Sequence, residues 1–329
     1  MKRTSRMGPA ALVFLWLILS AVSPGTACKA AAEAIIDEAG RKISIDKPFQ
    51  RIISLYGAHT ENLFALQAED RLIGVSRHET FPPRVKDKTV FSYHSGPERF
   101  LAADPDLVLI RPMIDRGYGN LISRLQAAGI TVASLQPRTK QETIHYWKAL
   151  GKLCGREEQA RRLIAGFEEG VRFAESLTSG LEPKKTVYFE AIHKQMKTFA
   201  PQSIAIFALQ AAGGKNAAPE AKAVRGTNIA AFGKERILAK GEDIDVYLAQ
   251  KGPMNQPSIA EIRQEPGFEV IKAVRTRSIC IVPEEVVSRP TLRLLLGIYE
   301  IGSCLYPERF DPQAKKRLLG LVQKAYHLE

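Results

Sequence analysis

Of the six histidines in this chain of 329 residues, four (His59, His78, His94 and His193) follow short apolar runs that read as strands. His145 falls in a helical pattern and His327 lies near the C-terminus. Imidazole is the commonest transition-metal ligand and binds through a neutral ring nitrogen. Four imidazoles converging from two parts of the chain would ligate a metal directly or cap an open position on a chelated one. No HxxxH or CxxC spacing offers a preformed zinc cage, so a metal complex suits this set better than a bare ion.

Other polar residues follow the same runs. In α/β architectures, ligand-binding side chains gather on loops beyond the carboxyl ends of strands. On that rule the ligand-binding candidates are Tyr56, His59, Glu61, His78, Tyr93, His94, Arg111, Tyr118, Arg138, Glu190, His193 and Arg289, with His59, His78, His94 and His193 as the metal-contacting subset. Arg77, Glu79, Asp115 and Arg116 share these loops. Tyr56, Tyr93, Tyr118 and Trp147 offer flat aromatic contact, with core packing the alternative for Trp147. Arg77, Arg111, Arg138 and Arg289 suit bidentate pairing with carboxylates. Pro112 keeps the preceding Arg111 extended at its strand mouth. Glu61 reads alternatively as a helix first-turn residue behind a Thr60 or His59 cap. Replacing His59 or His193 is expected to weaken ligand binding and leave folding intact.

Alternating apolar runs and helix-period segments must position these residues. Strands are expected at Arg51–Leu55, Leu72–Val75, Leu107–Ile110, Thr131–Leu135, Thr186–Phe189, Asp245–Ala249 and Ser278–Val282. Helices are expected at Thr60–Gln67, Asn120–Ala128 and Thr139–Leu153. Such alternation indicates βα units and mainly parallel sheets. Two segments recur in the same order at similar spacing: Phe64–Ala68 as Phe207–Ala211, and Glu98–Ala102 as Glu235–Ala239. The echo points to two lobes of related design. Between them, Arg156–Ser179 keeps helical spacing with no proline, and would span roughly 36 Å as a stiff strut. The domain reading is therefore 28–155 as one α/β lobe, 156–180 as the connecting helix and 181–329 as the second lobe.

Residues 1–27 read as a secretory signal: Lys2, Arg3 and Arg6, an apolar run from Ala10 to Val22, then the Ser23-Pro24-Gly25 break. Cleavage after Ala27 would expose Cys28 for a lipid anchor, although Gly25 is a poor fit to a lipobox; cleavage within Ala30–Ala34 is the alternative. Either places the mature protein outside the cytoplasmic membrane. With 45% hydrophobic and 25% charged residues the composition is globular, and four cysteines are too few for a disulfide scaffold. An oxidising compartment permits a Cys280–Cys304 bridge without establishing it, and Cys154 reads as a small buried side chain. The formal net charge of +12 is spread along the chain with no basic run, which argues against nucleic acid and leaves a basic cleft for an anionic ligand as the sharper reading.

Several stretches together resemble a known family. They are Arg51–Leu55 followed by Thr60–Leu66, then Arg71–Ser76, Phe81-Pro82-Pro83, Pro97–Leu109, Leu125–Val132, Gly151–Glu157, Ser288-Arg289-Pro290 and Leu305–Glu308. In order and spacing they resemble the substrate-binding proteins of bacterial ABC importers for metal chelates, which include binders of vitamin B12, ferric siderophores and haem. The resemblance implies two α/β lobes joined by one rigid helix, a ligand cleft between them and little hinge motion. It implies no cofactor beyond the bound metal complex. Its partners would be an ABC permease and, through it, the ATPase, with Glu98 and Glu235 docking on the permease, one per lobe. Each Glu could equally serve only its own helix dipole. The mixture of His, Glu and Arg departs from the clefts expected for hydroxamate siderophores and suits haem, a corrinoid or an anionic chelate. A direct metal-ion binder using the four histidines is the alternative. A chelatase-like enzyme is a more distant one, which the secretion signal argues against. No GxSxG, GxGxxG or GxxxxGK[ST] signature is present.

Overall fold

The computed structural model describes Met1 and residues 33–328; the signal segment and Cys28 lie outside the described residues. Glu33–Ile36 (β1) and Lys42–Ile45 (β2) pair as an antiparallel hairpin that the sequence reading did not anticipate. Asp37 closes it by accepting the Ala39 and Arg41 amides, and its other oxygen accepts the Ser134 amide. Cleavage after Ala34 would cut β1.

The first lobe runs through β3 (Ile52–Ser54), α1 (Gly57–Ala65), β4 (Leu72–Ser76), β5 (Thr89–Phe91), α2 (Pro97–Ala103) and β6 (Leu107–Ile110). It continues through α3 (Pro112–Gly117), α4 (Gly119–Ala127), β7 (Thr131–Ser134) and α5 (Lys140–Leu153). Its sheet order is β5-β4-β3-β6-β7, parallel throughout. Helices cover both faces, so β3 and β6 are buried at every residue and read as continuous apolar runs.

Helix α6 (Glu157–Leu177) then carries the chain onward for about 32 Å. Its Leu163, Ile164, Phe167, Val171 and Ala174 are buried at near-helical spacing. The second lobe follows as β8 (Thr186–Ile192), β9 (Lys197–Phe199), α7 (Ile204–Ala211), β10 (Lys215–Asn216), β11 (Lys222–Ala223) and β12 (Ile229–Ala231). Next come α8 (Lys234–Ala239), β13 (Val246–Lys251), α9 (Ile259–Gln264), α10 (Lys272–Arg275) and β14 (Ile279–Pro283). Finally α11 (Glu284–Val287), α12 (Leu294–Leu305) and α13 (Pro312–Tyr326) close the chain. The expectation of mainly parallel sheets holds, with an antiparallel extension on one side of this second sheet. The sheet is β11-β12-β9-β8-β13-β14 with β10 beside β8, and β8-β9, β9-β12 and β12-β11 are antiparallel. The chain leaves β8 through a tight turn at His193–Gln195, with Met196 at φ +48°, and returns at once as β9 instead of crossing by a helix.

The sequence echo has a structural counterpart. The parallel cores read β4-β3-β6-β7 in one lobe and β10-β8-β13-β14 in the other. In each, an aspartate just before the third strand secures the start of the second. Asp106 accepts the Gln50 and Arg51 amides at 2.7 and 2.8 Å, and Asp245 accepts the Thr186 amide at 2.8 Å.

The lobes are tied by more than α6. One continuous hydrophobic core joins residues of both lobes to α6, α12 and α13. A Cβ on Gly170 of α6 would fall 2.6 Å from Leu295, so glycine permits α12 to approach closely. Tyr326 at the end of α13 is fully buried and packs edge-on against Phe81 of the first lobe at 4.9 Å. Cys280 and Cys304 are joined as a disulfide between β14 and α12, the pairing the sequence left open. Cys154 is buried.

Candidate ligand cleft

Between the strand-end loops of the two lobes lies a cleft of about 1020 Å³, at the upper end of the usual range for small-molecule sites. The first lobe contributes Tyr56 and Gly57 after β3, Arg77, His78 and Glu79 after β4, and Tyr93 and His94 after β5. It adds Arg111, Met113 and Arg116 from the mouth of β6 and from α3, and Gln136 and Arg138 after β7. The second lobe contributes Phe199, the turn Arg225–Ile229, the segment Gly252–Asn255 and Glu284, Ser288 and Arg289. His78 sits at φ +67°, a left-handed conformation in which the loop presents its side chain. Arg111 is extended before Pro112 (φ −120°, ψ 160°) and stacks its guanidinium over the Tyr56 ring at 5.0 Å. Tyr93, His94 and Tyr118 form an aromatic group with centroids 4.5 to 5.2 Å apart. Tyr118 itself is not on the cleft wall; its hydroxyl lies 3.0 Å from His94 Nδ1 and fixes that ring. Arg138 reaches across the cleft to donate to the Gly226 carbonyl at 2.8 Å.

Two further expected ligand residues are buried in the seam below the cleft. Because α1 begins at Gly57, immediately after Tyr56, His59 and Glu61 fall on a helix buried from Ala58 to Ala65 and not in a loop. His59 Nε2 lies 2.9 Å from the Ile110 carbonyl and donates to it, so Nδ1 accepts from Tyr146 Oη at 2.6 Å. Both ring nitrogens are engaged, and burial lowers the His59 pKa from 6.5 to about 4. His59 is therefore a structural residue and cannot serve as a metal ligand at the cleft. Glu61 accepts two hydrogen bonds from Arg293, at 3.0 and 3.1 Å, and lies 3.3 Å from Arg289. Asn62 and Trp147 both donate to the Pro290 carbonyl, at 2.9 and 3.3 Å. The Ser288-Arg289-Pro290 stretch is thus where the second lobe is clamped to α1.

His193 and Glu190 face each other instead of the cleft. His193 Nδ1 is 2.7 Å from Glu190 Oε2, which also accepts the Tyr247 hydroxyl. The hydrogen bond that His193 donates to Glu190 raises the His193 pKa, against an opposing contribution from burial. The His193 amide donates to Asn255 Oδ1 at 3.0 Å, so this pair supports the cleft wall from behind. With His59 and His193 turned away, the four histidines do not share one hollow. Among the described residues no group of three or more His, Cys, Asp or Glu side chains is placed to hold an ion. That geometry does not bring the four histidines together as a direct metal-ion site would require.

The sequence reading missed Glu38, which the unanticipated hairpin carries to the cleft, and the Arg225–Ile229 and Gly252–Asn255 segments. Their signals were present as the turn-forming Arg225-Gly226-Thr227-Asn228 and as Gly252-Pro253-Met254-Asn255, the latter after a strand run.

Glu98 and Glu235 occupy equivalent places, the second residue of α2 and of α8, and both are exposed. Glu98 lies 3.6 Å from Arg124. Each follows a glycine by two residues, and a Cβ at Gly96 would fall 2.4 Å from the Glu98 carboxylate and one at Gly233 3.5 Å from that of Glu235.

The model of the family described as periplasmic binding protein matches residues 52–286. The chain belongs to that family. It is 24% identical over 281 residues to an ABC transporter substrate-binding lipoprotein of Bacillus subtilis, itself uncharacterised, covering 84% of this chain and 86% of the relative. It is 23% identical over 272 residues to the vitamin B12-binding protein of Vibrio campbellii, covering 82% and 92% respectively. Among solved structures, a possible iron-binding periplasmic protein of Staphylococcus epidermidis superposes with a TM-score of 0.70 at 26% identity, over 79% of this chain and all of that one. The periplasmic binding proteins of this fold share its two α/β lobes. Among the described residues no helix is long and apolar enough to cross a membrane.

Proposed function

We propose that the chain captures a metal chelate outside the cytoplasmic membrane and delivers it, chemically unchanged, to an ABC permease. The observation that carries this reading is the cleft of about 1020 Å³ walled by strand-end loops from both lobes. Its volume suits a chelate or macrocycle far better than a bare ion. Tyr56 and Tyr93 supply aromatic faces, and His78 and His94 are the imidazoles available to cap a chelated metal. Relatives named for ABC import and for vitamin B12 support the same class. The buried seam beneath the cleft suits a receptor that binds with little hinge motion. Glu98 and Glu235, one exposed carboxylate per lobe, are the two points that would register on basic residues of the permease. Residues 1–27 supply the export signal, and Cys28 an anchor if it is acylated.

Equilibrium dialysis tests the reading. Ferric chelates, haem and cobalamin are compared with free zinc, cobalt and nickel. The proposal expects retention of one chelate per chain and no retention of free ions; tight retention of a free ion with none of any chelate would overturn it.

A further inference from the structure

The two walls of the cleft differ in charge. Six arginines line it, Arg77, Arg111, Arg116, Arg138, Arg225 and Arg289, against three carboxylates, Glu38, Glu79 and Glu284. Two of those carboxylates fall near arginines: Glu38 interacts with Arg138, and Glu284 with Arg289. The third, Glu79, is engaged instead by Ser76, accepting its amide at 2.9 Å and its hydroxyl. Arg77, Arg111, Arg116 and Arg225 have no carboxylate within ion-pair distance among the described residues. Three of these four, Arg77, Arg111 and Arg116, stand on the first-lobe wall beside His78 and His94. The opposite wall carries the fourth, Arg225, and the paired Glu284 and Arg289; the rest of it is neutral, with Thr227, Asn228, Gln250, Asn255 and Ser288 offering amides and hydroxyls and Met254 an apolar rim.

Resting on the chelate reading above, we infer that the cargo is an anionic chelate, oriented with its negative groups against Arg77, Arg111 and Arg116 and its neutral face on the second lobe. Unpaired guanidinium groups converging on one wall are left short of counter-charge until a ligand supplies carboxylate, catecholate or similar oxygens in fork geometry. A neutral corrinoid or trihydroxamate would desolvate those arginines and give nothing back. This separates the chain from its vitamin B12-binding relatives at the level of substrate charge. The Arg138–Gly226 hydrogen bond closes one side of the cleft between the walls.

The test pairs chelates of like shape and unlike charge in calorimetric titrations of the purified chain. Haem and a ferric tricatecholate are the anionic probes. Haem dimethyl ester, a ferric trihydroxamate and cyanocobalamin are the probes with no net negative charge. The inference expects at least one anionic probe to bind ten-fold or more tighter than every uncharged probe, and to weaken as sodium chloride rises from about 0.05 to 0.5 M. Arg77→Gln, Arg111→Gln and Arg116→Gln should each weaken it about ten-fold, because each removes one charge-assisted contact. The thermal midpoint of these surface variants should stay unchanged, which separates lost binding from lost folding. An uncharged probe binding as tightly as the anionic ones overturns the inference and leaves the chelate reading standing. Binding of no probe in either class overturns both.

Discussion

Arg293 and Glu61 form a side-on ion pair across the seam of the lobes, Nε to Oε2 at 3.0 Å and Nη2 to Oε1 at 3.1 Å, with both side chains less than a tenth exposed. Arg293 also lies over the Phe81 ring at 4.2 Å and reaches Glu285 at 3.3 Å. The helix that opens the first lobe and the segment that opens α12 therefore share one buried charge. Removing one partner leaves the other buried with a single longer contact, Glu61 to Arg289 or Arg293 to Glu285, each at 3.3 Å. Glu61→Gln or Arg293→Met should cost about 3–5 kcal/mol, and the double variant should recover much of it. Urea midpoints for the three variants check this; equal and additive losses would show the pair is not coupled.

Acid should reveal His59. The unfolded chain protonates this imidazole near its ordinary 6.5, whereas the folded protein holds it neutral down to about 4. Its contribution is fully present above about pH 6.5 and is lost as pH falls toward 4, by on the order of 2–3 kcal/mol. His59→Gln should lower stability at pH 7.5 and flatten the decline between pH 7.5 and 4.5. The variant is thus expected to damage folding, the reverse of what a ligand role implies. Urea titrations at the two pH values measure the difference in slope.

His193 behaves in the opposite sense. Its pKa is raised by the Glu190 hydrogen bond, so that pair stabilises the fold at low pH and loses its contribution as pH rises through the folded-state value. Glu190→Gln should move the His193 titration down, read by NMR of the imidazole resonances. An unmoved titration would mean that the Nδ1 contact of 2.7 Å does not persist in solution.

The Cys280–Cys304 disulfide closes a loop with a sequence separation of 24. Replacing both cysteines by serine should lower stability by about 3 kcal/mol on the loop-entropy argument. Denaturant melts of the oxidised wild type and the double variant give the difference directly.

In the first turns of α2 and α8, Glu98→Lys with Glu235→Lys should leave chelate affinity unchanged and abolish uptake by cells carrying the permease. Both side chains are exposed and neither lines the cleft. Loss of binding in that double variant would contradict a docking role.

Seven strands were legible because buried parallel strands between helices leave continuous apolar runs, as in Leu107–Ile110. The strut was legible in the spacing from Leu163 to Ala174. β9, β11 and β12 were not, since strands of two or three residues such as Lys222–Ala223 are held by backbone pairing and carry no pattern. For the cleft, the strand-end rule placed Tyr56, His78, Tyr93, His94, Arg111, Arg138 and Arg289 on its walls. It misled at His59 and Glu61 because the loop after β3 shrinks to Leu55 and Tyr56 before α1 starts. It misled at Glu190 and His193 because Glu190 is the buried partner that turns His193 inward. Neither effect leaves a mark in local sequence.

Native mass spectrometry of the purified chain, incubated with a mixture of ferric chelates, haem, cobalamin and free divalent metals, weighs what the cleft keeps. The account predicts a single adduct at the mass of one intact chelate, recovered unaltered on release. An adduct of bare metal, or a chelate released in altered form, would contradict it.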